Sequence, residues 1–289
     1  MAELRLSGIS YVYSEGTPFE KKALDDINVS FKNGIITGLI GHTGSGKSTL
    51  VQLLNGLIKP TSGTVFLDEN DIWEDPKNIT SVRFKVGLVM QYPEYQLFEE
   101  TVKKDIEYGP TNMGLDPEEI SKRVEQAAFF CGIDEELFEK SPFDLSGGQK
   151  RRIAIAGVMA MKPEVLILDE PAAGLDPIGR EEILGGIRTY QKETGTTVII
   201  VSHSMEDMAA YCDELVVMNK SKVFMTGKTK EVFAQSEKLI SVGLDVPQIT
   251  HLFNRIRKMG IELPEDVFTV AQAKDAILSL LAKKEERND

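Results

Sequence analysis

Hydrophobic residues near the amino terminus alternate with polar ones and then form a continuous run. The stretch over 4–13 is strand-like, and apolar residues over 27–31 alternate cleanly with polar ones. Both segments are typical of half-buried strands, which are expected to be antiparallel. The apolar run over 35–40 instead predicts a fully buried strand. A Gly-rich turn follows it directly, and the pattern then predicts a helix over 48–57.

Two further apolar strands, 165–168 and 198–201, lie in the second half of the chain with helical segments between them. This alternation predicts an α/β fold around a largely parallel sheet, with antiparallel strands on the amino-terminal side. A helical insert starts at Asp116, a capping residue followed by Pro117 in the first turn. We therefore expect a helical subdomain over about 92–160.

The pattern changes near the carboxyl terminus, where two amphipathic helices follow one another. Pro247 opens the first helix, and Thr269 with Gln272 forms a capping box for the second. Apolar residues recur at helical spacing in both segments. The sequence therefore predicts a main domain over 1–242 and a small helical appendage over 243–289.

Composition and charge narrow the classes of function. Of the 289 residues 42% are hydrophobic, enough for a sizeable core, and the formal net charge is −12. Nucleic acids bind to surplus Lys and Arg, so this balance argues against such a partner. Cys131 and Cys212 show no metal-ligand spacing and are expected to be reduced. With neither a signal peptide nor an apolar run of ~18 residues, membrane association is expected only through a partner.

The Gly-rich turn matches the phosphate-binding loop at every fixed position. Its glycines let backbone N–H groups close around phosphate oxygens, and the helix N-terminus adds positive potential. Lys47 is expected to reach the β- and γ-phosphates of ATP, and Ser48 to bind Mg²⁺. A turn that matches by chance is the alternative, which the flanking strand and helix disfavour. The expected nucleotide-binding residues of the loop are Gly41, His42, Thr43, Gly44, Ser45, Gly46, Lys47, Ser48 and Thr49.

Two adjacent acids, Asp169 and Glu170, end the apolar strand over 165–168. A buried strand has no structural need for paired carboxylates at its end, which is where ligands bind in open α/β sheets. Asp169 suits a Mg²⁺ ion held through water, and Glu170 suits a base that polarises the attacking water. With the phosphate-binding loop, these acids indicate a phosphate-loop NTPase.

A pentapeptide before a predicted helix decides between kinds of NTPase. A hydroxyl, flexible backbone N–H groups and a helix N-terminus there form a second anion site. Through this segment the chain resembles the ABC ATPase family, whose signature it matches. The resemblance implies the ABC ATPase fold and the use of ATP and Mg²⁺. The signature residues are Leu145, Ser146, Gly147, Gly148 and Gln149.

The other motifs of this family follow in order along the chain. By the same resemblance Gln91 is the Q-loop glutamine, Asp176 belongs to the D-loop, and His203 is the switch histidine that contacts the γ-phosphate. Tyr13 aligns with the aromatic residue that stacks on adenine, with Tyr11 as a competitor. The implied catalytic residues are Glu170, His203, Gln91 and Lys47, and the implied Mg²⁺ ligands are Ser48, Gln91 and Asp169.

Two histidines and one residue of the acidic motif fall outside these roles. We interpret His42 as a filler of the loop and His251 as a solvent-facing helix residue. Ala172 departs from the family pattern, in which Thr or Ser often follows the proline, and little consequence is expected.

In this family the signature of one subunit closes over the nucleotide of the other, which implies a dimer that sandwiches two ATP molecules.

Finer features resemble one subfamily, the ATPases of bacterial energy-coupling factor transporters, and the second of the two paired ATPases more than the first. These features are the segments 17–24, 91–102 and 105–110. The resemblance implies a peripheral subunit on the cytoplasmic face of the cell membrane, beside a homologous ATPase, with a heterodimer favoured. It further implies a membrane coupling protein and an interchangeable substrate-binding membrane protein. Such importers carry vitamins or transition-metal ions, and the appendage over 243–289 helps to hold the ATPase pair together.

Two other readings stay open. A conventional ABC transporter ATPase shares the core chemistry but not the subfamily segments. A soluble ABC ATPase acting on ribosomes or DNA is disfavoured by the single phosphate-binding loop and the acidic balance. A role without hydrolysis is disfavoured because Glu170 and His203 are both present. The transported substrate is not encoded in this chain.

Overall fold

The fold is known from a computed structural model, which describes residues 2–285. Within them the chain forms ten strands and eleven α-helices. The strands are β1 (Leu4–Tyr13), β2 (Lys21–Phe31), β3 (Ile36–Gly41), β4 (Ser62–Leu67), β5 (Asn70–Asp71), β6 (Val86–Val89), β7 (Val165–Asp169), β8 (Thr197–Val201), β9 (Glu214–Asn219) and β10 (Lys222–Lys228). The helices are α1 (Lys47–Leu54), α2 (Ile79–Lys85), α3 (Val102–Asn112), α4 (Pro117–Phe130), α5 (Gly147–Met159), α6 (Pro177–Thr194), α7 (Met205–Tyr211), α8 (Thr229–Phe233), α9 (Ser236–Ser241), α10 (Gln248–Lys258) and α11 (Val270–Glu285).

The strands form two sheets. An antiparallel sheet has the order β2-β1-β4-β5, and a six-stranded sheet has the order β10-β9-β3-β8-β7-β6. The larger sheet is parallel except for β10, which pairs antiparallel with β9. The predicted mixed α/β fold with antiparallel amino-terminal strands is confirmed.

Both faces of the larger sheet are covered, which explains why its strands are apolar without alternation. In β7, Val165 and Ile167 pack in the layer between the two sheets. Leu166 and Leu168 point to the opposite face and pack with the helices. Every residue of β7 and β8 is buried, so residues placed at the ends of these strands are held rigidly.

Helix α1 is shorter than the predicted 48–57. It ends at Leu54, where Asn55 caps it and donates a side-chain hydrogen bond to the Val86 carbonyl oxygen. Gly56 then takes a positive φ of 69°, which stops the helix.

The two carboxyl-terminal helices surround a small cluster of their own. Phe253 of α10, Val267 of the connection before α11, and Ala273 of α11 form it. The Phe268 ring lies 6.0 Å from the Phe233 ring of the main core. The predicted capping box is present, because the Thr269 N–H donates to Gln272 Oε1 (3.1 Å) and the Gln272 N–H to Thr269 Oγ1 (3.3 Å). An apolar set on these helices stays about half exposed. It comprises Leu252, Ile277, Leu278 and Leu281.

Candidate nucleotide-binding site

The phosphate-binding loop connects β3 to α1 and is tightly packed at its end. Gly46 has a φ of 106°, and a Cβ at this position would lie 2.6 Å from the Ala23 carbonyl oxygen. Only glycine fits this backbone without displacing β2. The Ser45 N–H donates to the His42 carbonyl oxygen (3.1 Å), which closes the turn.

Lys47 lies under the loop. Its Nζ donates to the carbonyl oxygens of Gly41 (2.6 Å) and His42 (3.3 Å), and the residue is 7% exposed. Burial lowers the pKa of Lys47, while the charges of Glu170 and Asp169 oppose this change. The ammonium group is thus held at the phosphate-binding loop and faced by two acids.

Asp169 and Glu170 stand at the carboxyl end of β7. Asp169 is 8% exposed, and burial raises its pKa, whereas the charge of Lys47 and the nearby Ser48 hydroxyl act to lower it. Glu170 has a left-handed φ of 53°, and its N–H donates to the Val201 carbonyl oxygen (2.9 Å). This bond to β8 anchors the backbone from which the Glu170 side chain projects.

The Glu170 carboxylate is largely buried, and few neighbouring groups stabilise its negative charge. Its Oε1 has no hydrogen-bond partner among the described residues and lies 3.6 Å from His203 Nε2. Burial and the charge of Asp169 raise the pKa of Glu170 to about 7. Burial also lowers the pKa of His203, and the charge of Lys47 acts in the same direction. A neutral imidazole therefore stands beside a carboxyl group that titrates near neutral pH.

One cavity of about 290 Å³ collects most of the predicted site residues. The Tyr13 hydroxyl forms a 3.1 Å hydrogen bond with Thr49 Oγ1 at its wall, whereas Tyr11 packs against the core between the sheets. A larger cavity, about 860 Å³, lies beside α10, far in sequence from these motifs. The lining residues of the smaller cavity are Tyr13, Lys21, Ala23, Thr43, Gly44, Gly46, Lys47, Ser48, Thr49, Gln91, Asp169, Glu170 and His203.

Three predicted loop residues lie outside this lining. Gly41 ends β3, and the fully buried Ser45 lies beneath the loop. His42 turns away, with Nε2 3.0 Å from Asn219 Oδ1 and Nδ1 3.0 Å from the Thr43 carbonyl oxygen, so it ties the loop to β9. The remaining histidine, His251, is half exposed on α10 and lies 2.5 Å from Asp245 Oδ1.

Sequence reasoning missed Lys21 and Ala23, which line the cavity from β2. Lys21 pairs with Tyr13 across the β1–β2 ladder. The feature that could have revealed Lys21 is the β1–β2 hairpin, which places this residue beside Tyr13, the predicted adenine-stacking residue.

The signature segment lies elsewhere on the surface. Ser146 caps α5 with a capping box, since its Oγ accepts the Gln149 N–H (3.3 Å) and Gln149 Oε1 accepts the Ser146 N–H (3.0 Å). Asp176 caps α6 by accepting the Gly179 N–H (2.7 Å). Within the described chain, neither Asp176 nor any signature residue lines the cavity that contains Lys47.

Comparison with known proteins decides the family. Residues 24–173, just over half of the chain, match the sequence model of the ABC transporter family. The energy-coupling factor transporter ATP-binding protein EcfA2 of Clostridium perfringens (strain 13 / Type A) is 54% identical over 279 residues, covering 96% of this chain and 98% of that protein. This chain belongs to the energy-coupling factor ATP-binding proteins of the ABC transporter family. It is therefore a transport ATPase subunit with an ABC ATPase fold.

Other energy-coupling factor and ABC proteins agree with this assignment. The EcfA2 protein of Clostridium tetani (strain Massachusetts / E88) is 52% identical over 282 residues, which cover 97% of this chain and 98% of that protein. Among solved structures, cbiO1 of Clostridium perfringens, part of the ABC transporter complex cbiONQ, has a TM-score of 0.74 at 44% identity and covers 87% of this chain and 98% of its own. The cassette MJ0796, solved as a dimer bound to ADP and Pi, has a TM-score of 0.71 at 27% identity, over 78% of this chain and 98% of its own.

In the part of this ATPase that the structure describes, every helix is too short or too polar to cross a bilayer.

The raised pKa of Glu170 predicts a pH-dependent stability effect. Between pH 4.5, the ordinary pKa of this group, and about pH 7, the folded protein without nucleotide or metal binds more protons than the unfolded chain. Ionisation of Glu170 therefore makes the folded protein less stable as the pH rises. Glu170→Gln should therefore raise the free energy of unfolding at pH 8 by about 2 kcal/mol, and less at pH 5. Urea unfolding at both pH values measures this. Glu164→Gln, at the exposed opposite end of the same strand, is the control, and a gain independent of pH would contradict the prediction.

Proposed function

We propose that this chain is one of two ATPase subunits of an energy-coupling factor importer for vitamins or transition-metal ions. It binds and hydrolyses ATP where it meets a homologous ATPase. One observation carries the proposal. The cavity contains the phosphate-binding loop, Asp169, Glu170 and His203, whereas the signature residues lie on a separate surface. A second subunit is therefore needed to bring a signature to the ATP held in this cavity.

ATP binding follows from the residues around the cavity. Lys47 would contact the β- and γ-phosphates, supported by the backbone N–H groups of Gly44 and Gly46 and by the N-terminus of α1. The half-exposed ring of Tyr13 offers a surface on which adenine can stack. In the proposed assignment, the loop residues Gly41–Thr49 bind the nucleotide, with His42 and Ser45 acting by holding the loop shape.

The donor set fits Mg²⁺, which prefers oxygen ligands. Ser48 would supply its hydroxyl, Gln91 its amide oxygen and Asp169 its carboxylate, directly or through water. Burial raises the pKa of Asp169 while the Ser48 hydroxyl acts to lower it, and Ser48, Gln91 and Asp169 all line the same cavity. When bound, the ion would neutralise charge on the β- and γ-phosphates.

Glu170 is proposed to polarise the attacking water and His203 to contact the γ-phosphate. The Glu170 pKa of about 7 places this carboxylate near the optimum for a base at neutral pH. Its backbone bond to β8 anchors it at this edge of the sheet, where its Oε1 lies 3.6 Å from His203 Nε2. Gln91 and Lys47 complete the proposed catalytic set, and charge neutralisation and positioning supply most of the rate acceleration.

The carboxyl-terminal helices supply a second contact between the two ATPases. We assign 1–242 to the ATPase domain, with a helical subdomain over about 92–160, and 243–289 to a dimer-stabilising appendage. Leu252 of α10 and the apolar residues Ile277 and Leu281 of α11 are 41–50% exposed. An exposed apolar face of this kind is suited to a homologous partner, and a heterodimer is favoured.

The segment over 92–98 and the groove beside it are proposed to receive the membrane coupling protein. The groove, about 290 Å³, is lined by apolar side chains of α3, α5 and this segment. At its wall Asp105 accepts the Phe98 N–H (3.2 Å) and the Glu99 N–H (3.3 Å) through Oδ1, while Oδ2 has no hydrogen-bond partner among the described residues. Burial raises the Asp105 pKa. An apolar partner helix would fill the groove and cover its apolar side chains.

Substitution of Tyr95 and Phe98 by alanine should uncouple hydrolysis from transport. The two rings are 85% and 57% exposed, so their loss leaves the core of this ATPase intact while removing the contact surface. We expect normal ATP hydrolysis by the isolated ATPase pair and loss of its stimulation by the membrane partners. Phe129→Ala, equally exposed on α4, is the control. Equal losses of assembly, hydrolysis and uptake would show that the segment has another role.

Purification of this chain from detergent-solubilised native membranes tests the proposed function. A second ATPase, one multi-span coupling protein and several small alternative membrane proteins are expected to accompany it. Recovery of one dedicated permease pair would instead identify a conventional ABC transporter. If no membrane protein accompanied the chain, the proposed role in import would be wrong, and the ATPase chemistry would stand.

A further inference from the structure

The segment over 92–98 has two faces with different chemistry. Tyr92, Tyr95 and Phe98 project outward and are 51–85% exposed. On the inner side Pro93 is buried, and the Glu94 side chain is only 16% exposed. A molecule that binds the outer aromatic face therefore acts on the same short turn that holds Glu94 against the protein.

Glu94 is held by an arginine of the signature helix. Arg151, in the second turn of α5, is 4% exposed. Its Nη2 donates to Glu94 Oε1 (2.8 Å) and its Nε donates to Oε2 (3.1 Å). This two-pronged bond fixes both the distance and the angle between the segment and α5, which a single hydrogen bond does not.

The same guanidinium reaches a third segment. Arg151 Nη1 donates to the carbonyl oxygen of Ala173. Ala173 lies between Glu170 and Asp176, and its own N–H donates to the Glu170 carbonyl oxygen (3.2 Å). One buried side chain thus ties together the 92–98 segment, the helix that begins at the signature, and the stretch that leads to the D-loop residue.

Glu94 and Arg151 form a charged pair whose separation costs free energy. Burial disfavours the ionised form of Glu94, but hydrogen bonds and the charge of Arg151 outweigh this and lower the Glu94 pKa. Removing one member of such a pair leaves an uncompensated charge in the protein. A displacement of Glu94 that keeps this pair intact therefore pulls on Arg151 and on the start of α5.

We infer that Arg151 is a positioning residue that couples membrane-partner docking at 92–98 to the placement of the signature and D-loop over the other subunit's ATP. This inference rests on the proposed function. Arg151 is not among the residues that line the cavity containing Lys47, so its effect is expected on stimulation by the partner and not on ATP affinity.

The test compares the purified ATPase pair with the complete membrane complex reconstituted in lipid nanodiscs, with ATP as the probe. Arg151→Lys keeps the charge but loses the two-pronged bond, and Glu94→Gln keeps the shape but loses the charge. Both should reduce the stimulation of hydrolysis by the membrane partners by about tenfold, as for residues in one ion-pair network. The KM for ATP of the isolated pair should change less than about twofold, because uniform binding is untouched. Glu119→Gln is the control. Glu119 also pairs with an arginine, Arg123 (2.6 Å), that donates to a backbone carbonyl oxygen, that of Met161, but this pair does not contact the 92–98 segment.

A double variant tests whether stimulation is lost because the ion pair no longer positions the signature helix or because the protein is less stable. Glu94→Met with Arg151→Met replaces the buried pair by apolar side chains of similar volume, which commonly preserves stability. The expected result is normal thermal unfolding and complex assembly with stimulation still lost. Wild-type stimulation in the single variants, or its recovery in the double variant, would overturn the inference and leave the proposed function intact. A wild-type complex with no stimulation by membrane partners would overturn both.

Discussion

Glu170→Gln is expected to suppress ATP hydrolysis by about 10²- to 10³-fold while leaving ATP bound, because a general base commonly contributes that much. Glutamine keeps the size and the backbone position of Glu170, including the N–H bond to Val201, but cannot accept a proton from water. The phosphate-binding loop around Lys47 does not depend on this carboxylate for its hydrogen bonds. The ATP-bound pair should therefore accumulate in the closed form.

Two measurements on the purified ATPase pair check this outcome. Phosphate release should fall, and more ATP than in the wild type should stay bound to the pair through size-exclusion chromatography with Mg²⁺. Glu164→Gln, which removes the same charge at the other end of β7, should leave both quantities unchanged. Normal turnover of Glu170→Gln would remove Glu170 from the role of base.

The arrangement of the cavity could be predicted because its residues lie next to strand ends in the sequence. The phosphate-binding loop follows β3, Gln91 follows β6, Glu170 follows β7 and His203 follows β8. These four strands are parallel and adjacent, so their carboxyl ends meet at one edge of the sheet. Local pattern therefore sufficed to place side chains that are more than 100 positions apart.

Contacts between side chains that do not follow strand ends could not be predicted in this way. The bond between Arg151 and Glu94 spans 57 positions and depends on how α5 packs on a turn. Lys21 reaches the cavity only through the register of a hairpin, and His42 is held by Asn219 of β9. The exposure of the apolar residues on α10 and α11 also depends on tertiary packing, since helical spacing alone does not distinguish a core face from a docking face.

Lys47→Ala is expected to weaken ATP binding itself by about 10²-fold, since hydrogen bonds to charged groups contribute about 1.5–3 kcal/mol each and Lys47 is proposed to contact two phosphates. The substitution also removes the hydrogen bonds to the carbonyl oxygens of Gly41 and His42, so the loop loses the ammonium group around which it folds. Loss of this charge further leaves Asp169 and Glu170 facing the phosphates with less compensation. Both effects reduce affinity, in contrast to Glu170→Gln, which is expected to act on the rate.

Equilibrium binding of a fluorescent ATP analogue, measured with Mg²⁺, reports the affinity of the Lys47→Ala variant. Lys21→Ala is the matched comparison, because Lys21 lines the same cavity but is exposed at its mouth. Exposed charges are screened by water and salt, so its loss should reduce affinity by less than about threefold. A large effect at Lys47 with a small one at Lys21 places the phosphates at the loop. Unchanged affinity in Lys47→Ala would contradict the assignment of 41–49 as the phosphate-binding loop, whatever the remaining activity.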